Sequence, residues 1–135
     1  MKTIPALVSA ALLCISCSAP VHSGFIPVSG GAKLYYEEAG RGEPLILLHG
    51  NTLDVRMWDP QFREFAKHYR TIRFDFRGYG RSSLPEEGRA FTHLDDLLAL
   101  MDSLRLDRAH IVGLSMGLSW ASTCWGWLPK GCFPA

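Results

Sequence analysis

The sequence has almost no charge at its two ends. Before Lys33 the only charged residue is Lys2, and after Gly117 the only one is Lys130. It also lacks a surplus of one sign. Fourteen Lys and Arg stand against 13 Asp and Glu, a net charge of +1, which excludes a broad basic face for nucleic acid and an acidic tail. After Ser115 the chain contains no Asp, no Glu and no His. No cluster with metal-ligand spacing is present, and Gly78-Tyr79-Gly80 lacks the strand–glycine–helix spacing of a dinucleotide site, so no metal or cofactor is expected. What remains is ordinary: 135 residues, 47% hydrophobic and 20% charged, enough for one small globular domain.

The N-terminus has the order of a secretory signal: Met1-Lys2 as a positive start, apolar or small residues from Ile4 to Cys17, then small residues through Gly24. The apolar stretch falls far short of the roughly 20 residues a spanning helix needs. Residues 1–23 are therefore expected to be a signal peptide, cleaved between Ala19 and Gly24, on an exported, periplasmic or secreted protein. Cys14-Ile15-Ser16-Cys17 also admits acylation at Cys17, although Cys14 stands where a large aliphatic residue is usual. Membrane attachment would follow only in that case. Cys124 and Cys132, in the tail, are either a small disulfide or incidental thiols.

From Gly24 to Gly117 the pattern is α/β. Phe25–Val28 and Lys33–Glu37 flank Gly30-Gly31 and read as a β-hairpin. Leu45-Ile46-Leu47-Leu48 is a continuous apolar run, as in a buried parallel strand. Asp59-Pro60 reads as a helix start with Asp59 as cap, and Trp58, Phe62, Phe65 and Tyr69 follow at helical spacing. Thr71–Phe74 is a short strand running into a glycine-rich loop, Asp75 to Ser83. Thr92 caps a second helix, with Asp95 three residues on; Phe91, Leu94, Leu97, Leu98, Met101 and Leu104 form its expected buried stripe. Ala109–Val112 is the next strand. Alternating strands and helices imply a parallel sheet with right-handed crossovers.

The chemistry sits at strand ends. Gly113-Leu114-Ser115-Met116-Gly117 matches G-x-S-x-G directly after a buried-type strand, the context a nucleophile elbow requires. This makes Ser115 the candidate nucleophile and Gly113 and Gly117 the elbow glycines. His49-Gly50-Asn51 follows the earlier apolar strand. The backbone N–H groups of Asn51 and Met116 are the candidate oxyanion donors, and the His49 ring reads as a structural group that hydrogen-bonds its loop.

These blocks together, Leu45 to Asn51, Trp58, Asp75-Phe76-Arg77-Gly78-Tyr79-Gly80-Arg81-Ser82 and Gly113 to Gly117, resemble the N-terminal half of the α/β-hydrolase superfamily, in its small-esterase and haloperoxidase-like branch. The resemblance implies attack by Ser115 on an ester, lactone or similar acyl bond of a small-molecule substrate, through an acyl-enzyme. Serine there argues against epoxide hydrolases and haloalkane dehalogenases, which use Asp. Asp75 and Arg77 resemble the family's loop-shaping residues. The resemblance also implies a triad in the order Ser, acid, His, and neither the triad acid nor the base is present. His22, His49, His68, His93 and His110 all precede Ser115. Residues 118–135 do not look like family sequence, although Leu118, Ala121, Trp125 and Leu128 could line a short helix ending at Pro129. A chain cut after the elbow by a frameshift or stop is the expectation, with catalysis crippled. In family order the strand ending at Gly113 lies mid-sheet, so here it becomes an edge prone to self-association. The alternative is a non-catalytic binding or assembly module built on the half-sheet.

Overall fold

A computed structural model describes residues 19–117 and 128–129. Strands β1 (Val21–Pro27) and β2 (Lys33–Ala39) form the hairpin, joined through a 3-10 turn at Ser29–Gly31. Strand β3 (Pro44–Leu48) is followed by a 3-10 turn at Val55–Trp58 and helix α1 (Asp59–Phe65). Strand β4 (Arg70–Phe74), helix α2 (His93–Ser103) and strand β5 (Arg108–Gly113) complete the alternation, and a two-residue strand β6 (Leu128–Pro129) follows. The sheet order is β1-β2-β4-β3-β5-β6.

β2 pairs with β4 antiparallel, whereas β3 runs parallel to both β4 and β5. In register, Leu48 lies opposite Phe74 on one side and Gly113 on the other. The C-terminal ends of β3, β4 and β5 are therefore level, and the loops they feed emerge together.

The continuous apolar reading of β3 has a simple cause: both of its faces are covered. Ile46 and Leu48 join Ile72, Phe74, Leu97, Leu100 and Met101 on the α2 side, while Leu45 and Leu47 join Phe62 and Ala66 on the α1 side. Helix α2 starts as its cap anticipates, with the Asp95 N–H donating to Thr92 Oγ1 at 3.0 Å.

Three local expectations change. Asp59 does not cap α1: Trp58 occupies that position with no side-chain cap bond, and the Asp59 carboxylate instead accepts from Arg73 Nη1 at 2.7 Å. The buried face of α2 carries Asp96, Leu97, Leu100 and Met101, while Leu94 and Leu98 are only half-buried. Leu128 stands in a strand, not a helix; Leu118, Ala121 and Trp125 lie outside the described residues, as do residues 1–18 and all four cysteines.

β5 is not a bare edge, because β6 pairs with it antiparallel at Arg108 and Ala109. That pairing stops short of Val112, which remains exposed. β1 begins at Val21, three residues before the expected domain start at Gly24.

Candidate active site

Ser115 lies two residues beyond β5, at the level edge of the parallel strands. Its backbone is left-handed, φ 51°, and helical conformation resumes at Met116–Gly117. A non-glycine residue in that region is uncommon, and a strained strand-to-helix turn is what lifts a nucleophile clear of a sheet. The Ser115 side chain is accordingly exposed. Gly117 is needed for close approach: a Cβ there would come within 2.8 Å of both Leu48 Cβ and Leu48 O. The other elbow glycine, Gly113, ends β5 opposite Leu48. The Leu114 N–H continues the ladder by donating to Leu48 O at 3.2 Å.

The loop after β3 is brought against this turn. A Cβ on Gly50 would lie 3.5 Å from Leu114 O, so the backbone of His49-Gly50-Asn51 runs beside the elbow. His49 is fully buried. Its Nε2 accepts from the Phe76 N–H at 3.0 Å, so the proton sits on Nδ1, which donates to Gly50 O at 2.8 Å. Burial pushes its pKa below the usual histidine value, against smaller raising effects from the Gly50 carbonyl and Asp75. Both ring nitrogens are thus committed to holding the loop. His49 is a structural histidine and offers no base to Ser115.

The loop after β4 is built around Asp75. One carboxylate oxygen accepts from the Val55 N–H at 2.7 Å and the other from the Arg81 N–H at 2.8 Å, while the backbone carbonyl accepts from Ser82 Oγ at 2.6 Å. Gly80, at φ 51°, passes so close to this carboxylate that any Cβ would collide with it. Arg77 is buried in a bidentate pair with Asp96, at 2.6 and 3.0 Å, and lies over the Phe91 ring. Asp75 and Arg77 therefore shape the loop.

His110 and His93 are also placed elsewhere. His110 sits at the start of β5, 3.2 Å from Glu43 Oε2. His93 opens α2 and packs against Phe76 and Phe91, with its pKa lowered mainly by burial and partly restored by Asp96. Two hollows, of about 410 and 190 Å³, are lined by Val21, Glu37, Asp59, Phe62, Arg63 and Arg73, and by Asp54, Val55, Arg56, Asp75, Gly80 and Arg81. Ser115 lines neither.

One contact at the site lay outside the sequence reading. Tyr79 donates its hydroxyl to Asn51 Oδ1 at 2.6 Å and lies 3.8 Å from Met116 Sδ. Its only local signal was a lone aromatic between two glycines.

The fold agrees with the comparisons. The sequence profile of the alpha/beta hydrolase fold family matches residues 43–117. The chain belongs to the α/β-hydrolase fold family. It is 39% identical over 95 residues to the AB hydrolase superfamily protein YisY of Bacillus subtilis, covering 69% of this chain and 35% of that protein. It is 33% identical over 93 residues to an (E)-2-((N-methylformamido)methylene)succinate hydrolase of Acinetobacter baylyi, covering 68% of this chain and 35% of the relative. Among solved structures, Est816, described as an N-acyl homoserine lactone degrading enzyme, superposes with a TM-score of 0.67 at 35% identity over 73% of this chain and 38% of its own. The α/β-hydrolase chain thus spans about a third of the length of these relatives.

Proposed function

We propose that this α/β-hydrolase sequence carries the nucleophile half of a serine hydrolase acting on an ester, lactone or similar acyl bond. The observation that carries the reading is Ser115 at φ 51°, exposed at the end of β5 beside the His49–Asn51 loop. Backbone N–H groups of Asn51 and Met116 would receive the developing oxyanion, and elbow glycines Gly113 and Gly117 permit the turn. Est816 degrades a lactone and the Acinetobacter relative is a hydrolase; both agree with an acyl substrate. Export, with acylation at Cys17 as its variant, is part of the same proposal and rests on the order of the N-terminal residues.

A serine hydroxyl needs an adjacent base. No Asp, Glu or His follows Ser115, and His49 is committed to its loop. Loss of triad members costs roughly 10⁴ to 10⁶ in turnover. The 135-residue polypeptide alone is therefore expected to hydrolyse p-nitrophenyl butyrate no faster than its Ser115→Ala variant, and to resist a fluorophosphonate probe. The alternative is a non-catalytic binding module built on the half-sheet. A chimera separates the two. Residues 19–117 joined to the C-terminal part of Est816 should hydrolyse the ester and lose that activity on Ser115→Ala. A folded chimera that is inactive, or whose activity survives Ser115→Ala, would overturn the assignment of Ser115.

A further inference from the structure

We propose that Tyr79 is a positioning residue whose phenol ties Asn51 to Met116 and so sets the spacing of the two oxyanion amides. The proposal rests on the Ser115 reading for its purpose, but the tie itself is a matter of geometry.

The loop after β3 is well held at its two ends. His49 fixes its start through Phe76 and Gly50, and the Val55 N–H fixes its end on Asp75. Between these anchors Asn51, Thr52 and Leu53 are exposed, and Thr52 takes φ 61°. Asn51 is the residue whose amide must be placed, and its side-chain oxygen accepts from Tyr79 Oη at 2.6 Å, at the short end for O–H···O.

Tyr79 can serve as a fixed point because its own loop is rigidly built. Its N–H donates to Phe76 O at 2.9 Å and its carbonyl accepts from the Ser82 N–H at 3.0 Å. Its ring meets the buried His49 ring edge-on, with centroids 5.3 Å apart. The glycines on either side adopt φ 90° and φ 51°, which lets the aromatic turn back across the strand ends. From there the same oxygen that holds Asn51 reaches Met116 Sδ at 3.8 Å. A single phenol oxygen thus bonds the Asn51 side chain and lies 3.8 Å from the Met116 thioether, so it stands between the side chains of the two residues whose N–H groups would face the oxyanion.

Ring packing alone would require no hydroxyl. An oxyanion hole requires donors fixed to within about 0.5 Å, and losing one donor typically costs about 10² to 10³ in rate. A tie between the two donor residues supplies that fixity without contacting substrate.

The test uses the 135-residue chain and Tyr79→Phe, which keeps the ring and removes only the oxygen. Hydrogen–deuterium exchange, read by mass spectrometry at submicromolar concentration with sub-second labelling, should rise about threefold or more in both residues 50–54 and residues 114–117. Residues 93–103 should not change. Acceleration in the first segment alone, or in neither, overturns the tie. If Tyr79→Phe loosens the whole chain, Asn51→Leu decides, since it leaves the Tyr79 ring in place. Faster exchange at residues 114–117 in that variant upholds the tie, and an unchanged rate there overturns it. None of these outcomes depends on Ser115 reactivity, so failure of the tie and failure of the hydrolase reading are told apart.

Discussion

Burial lowers the pKa of both His49 and His93, whose rings pack against Phe76 with centroids 4.7 and 4.9 Å from it. Their folded pKa values lie below the ordinary 6.5. The unfolded chain therefore takes up protons first as pH falls, and unfolding is favoured. The stability these residues contribute is complete above about pH 6.5 and is lost as pH drops through their lowered folded values. The urea midpoint should be lower at about pH 5.5 than at about pH 7.5; equal midpoints would show that neither burial matters to folding. The Arg77–Asp96 pair is a second residue-scale test, with side chains only 3% and 1% exposed. Asp96→Leu would strand a buried guanidinium, a loss of about 3–5 kcal/mol. Urea unfolding that shows a loss under about 1 kcal/mol would mean that water or a neighbour replaces the carboxylate.

At the scale of elements, the proposed export has a structural consequence at β1. Val21, His22 and Ser23 pair with Ala39, Glu38 and Glu37, yet all three are exposed, and Ile26 is the buried residue of that strand. Cleavage anywhere from Ala19 to Gly24 would trim an outer strand without reaching the core. Intact-mass analysis of exported protein should show a mature chain beginning in that interval. A mature chain starting at Met1 would refute the proposal, and a diacylglycerol adduct on Cys17 would establish the lipoprotein variant. Most elements were legible because their signals are local: the apolar run of β3, the Thr92 cap, and G-x-S-x-G placed directly after a strand. The misses share a cause, which is partners far away in sequence. Arg73 on β4 draws the Asp59 carboxylate away from capping, and Arg77 in the loop after β4 makes burial of Asp96 on α2 favourable. Tyr79 reaches Asn51 across 28 positions and Met116 across 37. No periodicity within one element encodes contacts of that kind. The tight turn at Ser115 was legible because it needs only its own five residues and the strand before them.

At the scale of the whole molecule, the two borders of the sheet among the described residues are β1 and the β5–β6 side, and they differ from the buried centre. β3 and β4 are buried along four of their five residues, but β5 has one buried residue, Ala109, in its six. Ile111 is half-buried, Val112 is 37% exposed, and Leu114 just beyond the strand is 46% exposed. β6 pairs only with Arg108 and Ala109, so among the described residues no strand covers the outer edge from Ile111 to Gly113. An apolar strand with open backbone groups is a template for pairing with another chain. A net charge of +1 provides little long-range repulsion to oppose it. The 135-residue chain should therefore sediment as a dimer or larger at micromolar concentration. Val112→Lys, which places a charge on that edge, should shift it toward monomer without lowering the urea midpoint by more than about 1 kcal/mol equivalent, since the side chain is already partly in water. A monodisperse monomer that unfolds cooperatively would refute association through this edge. So would an oligomer that Val112→Lys leaves intact, because its contacts would then have to lie elsewhere on the molecule.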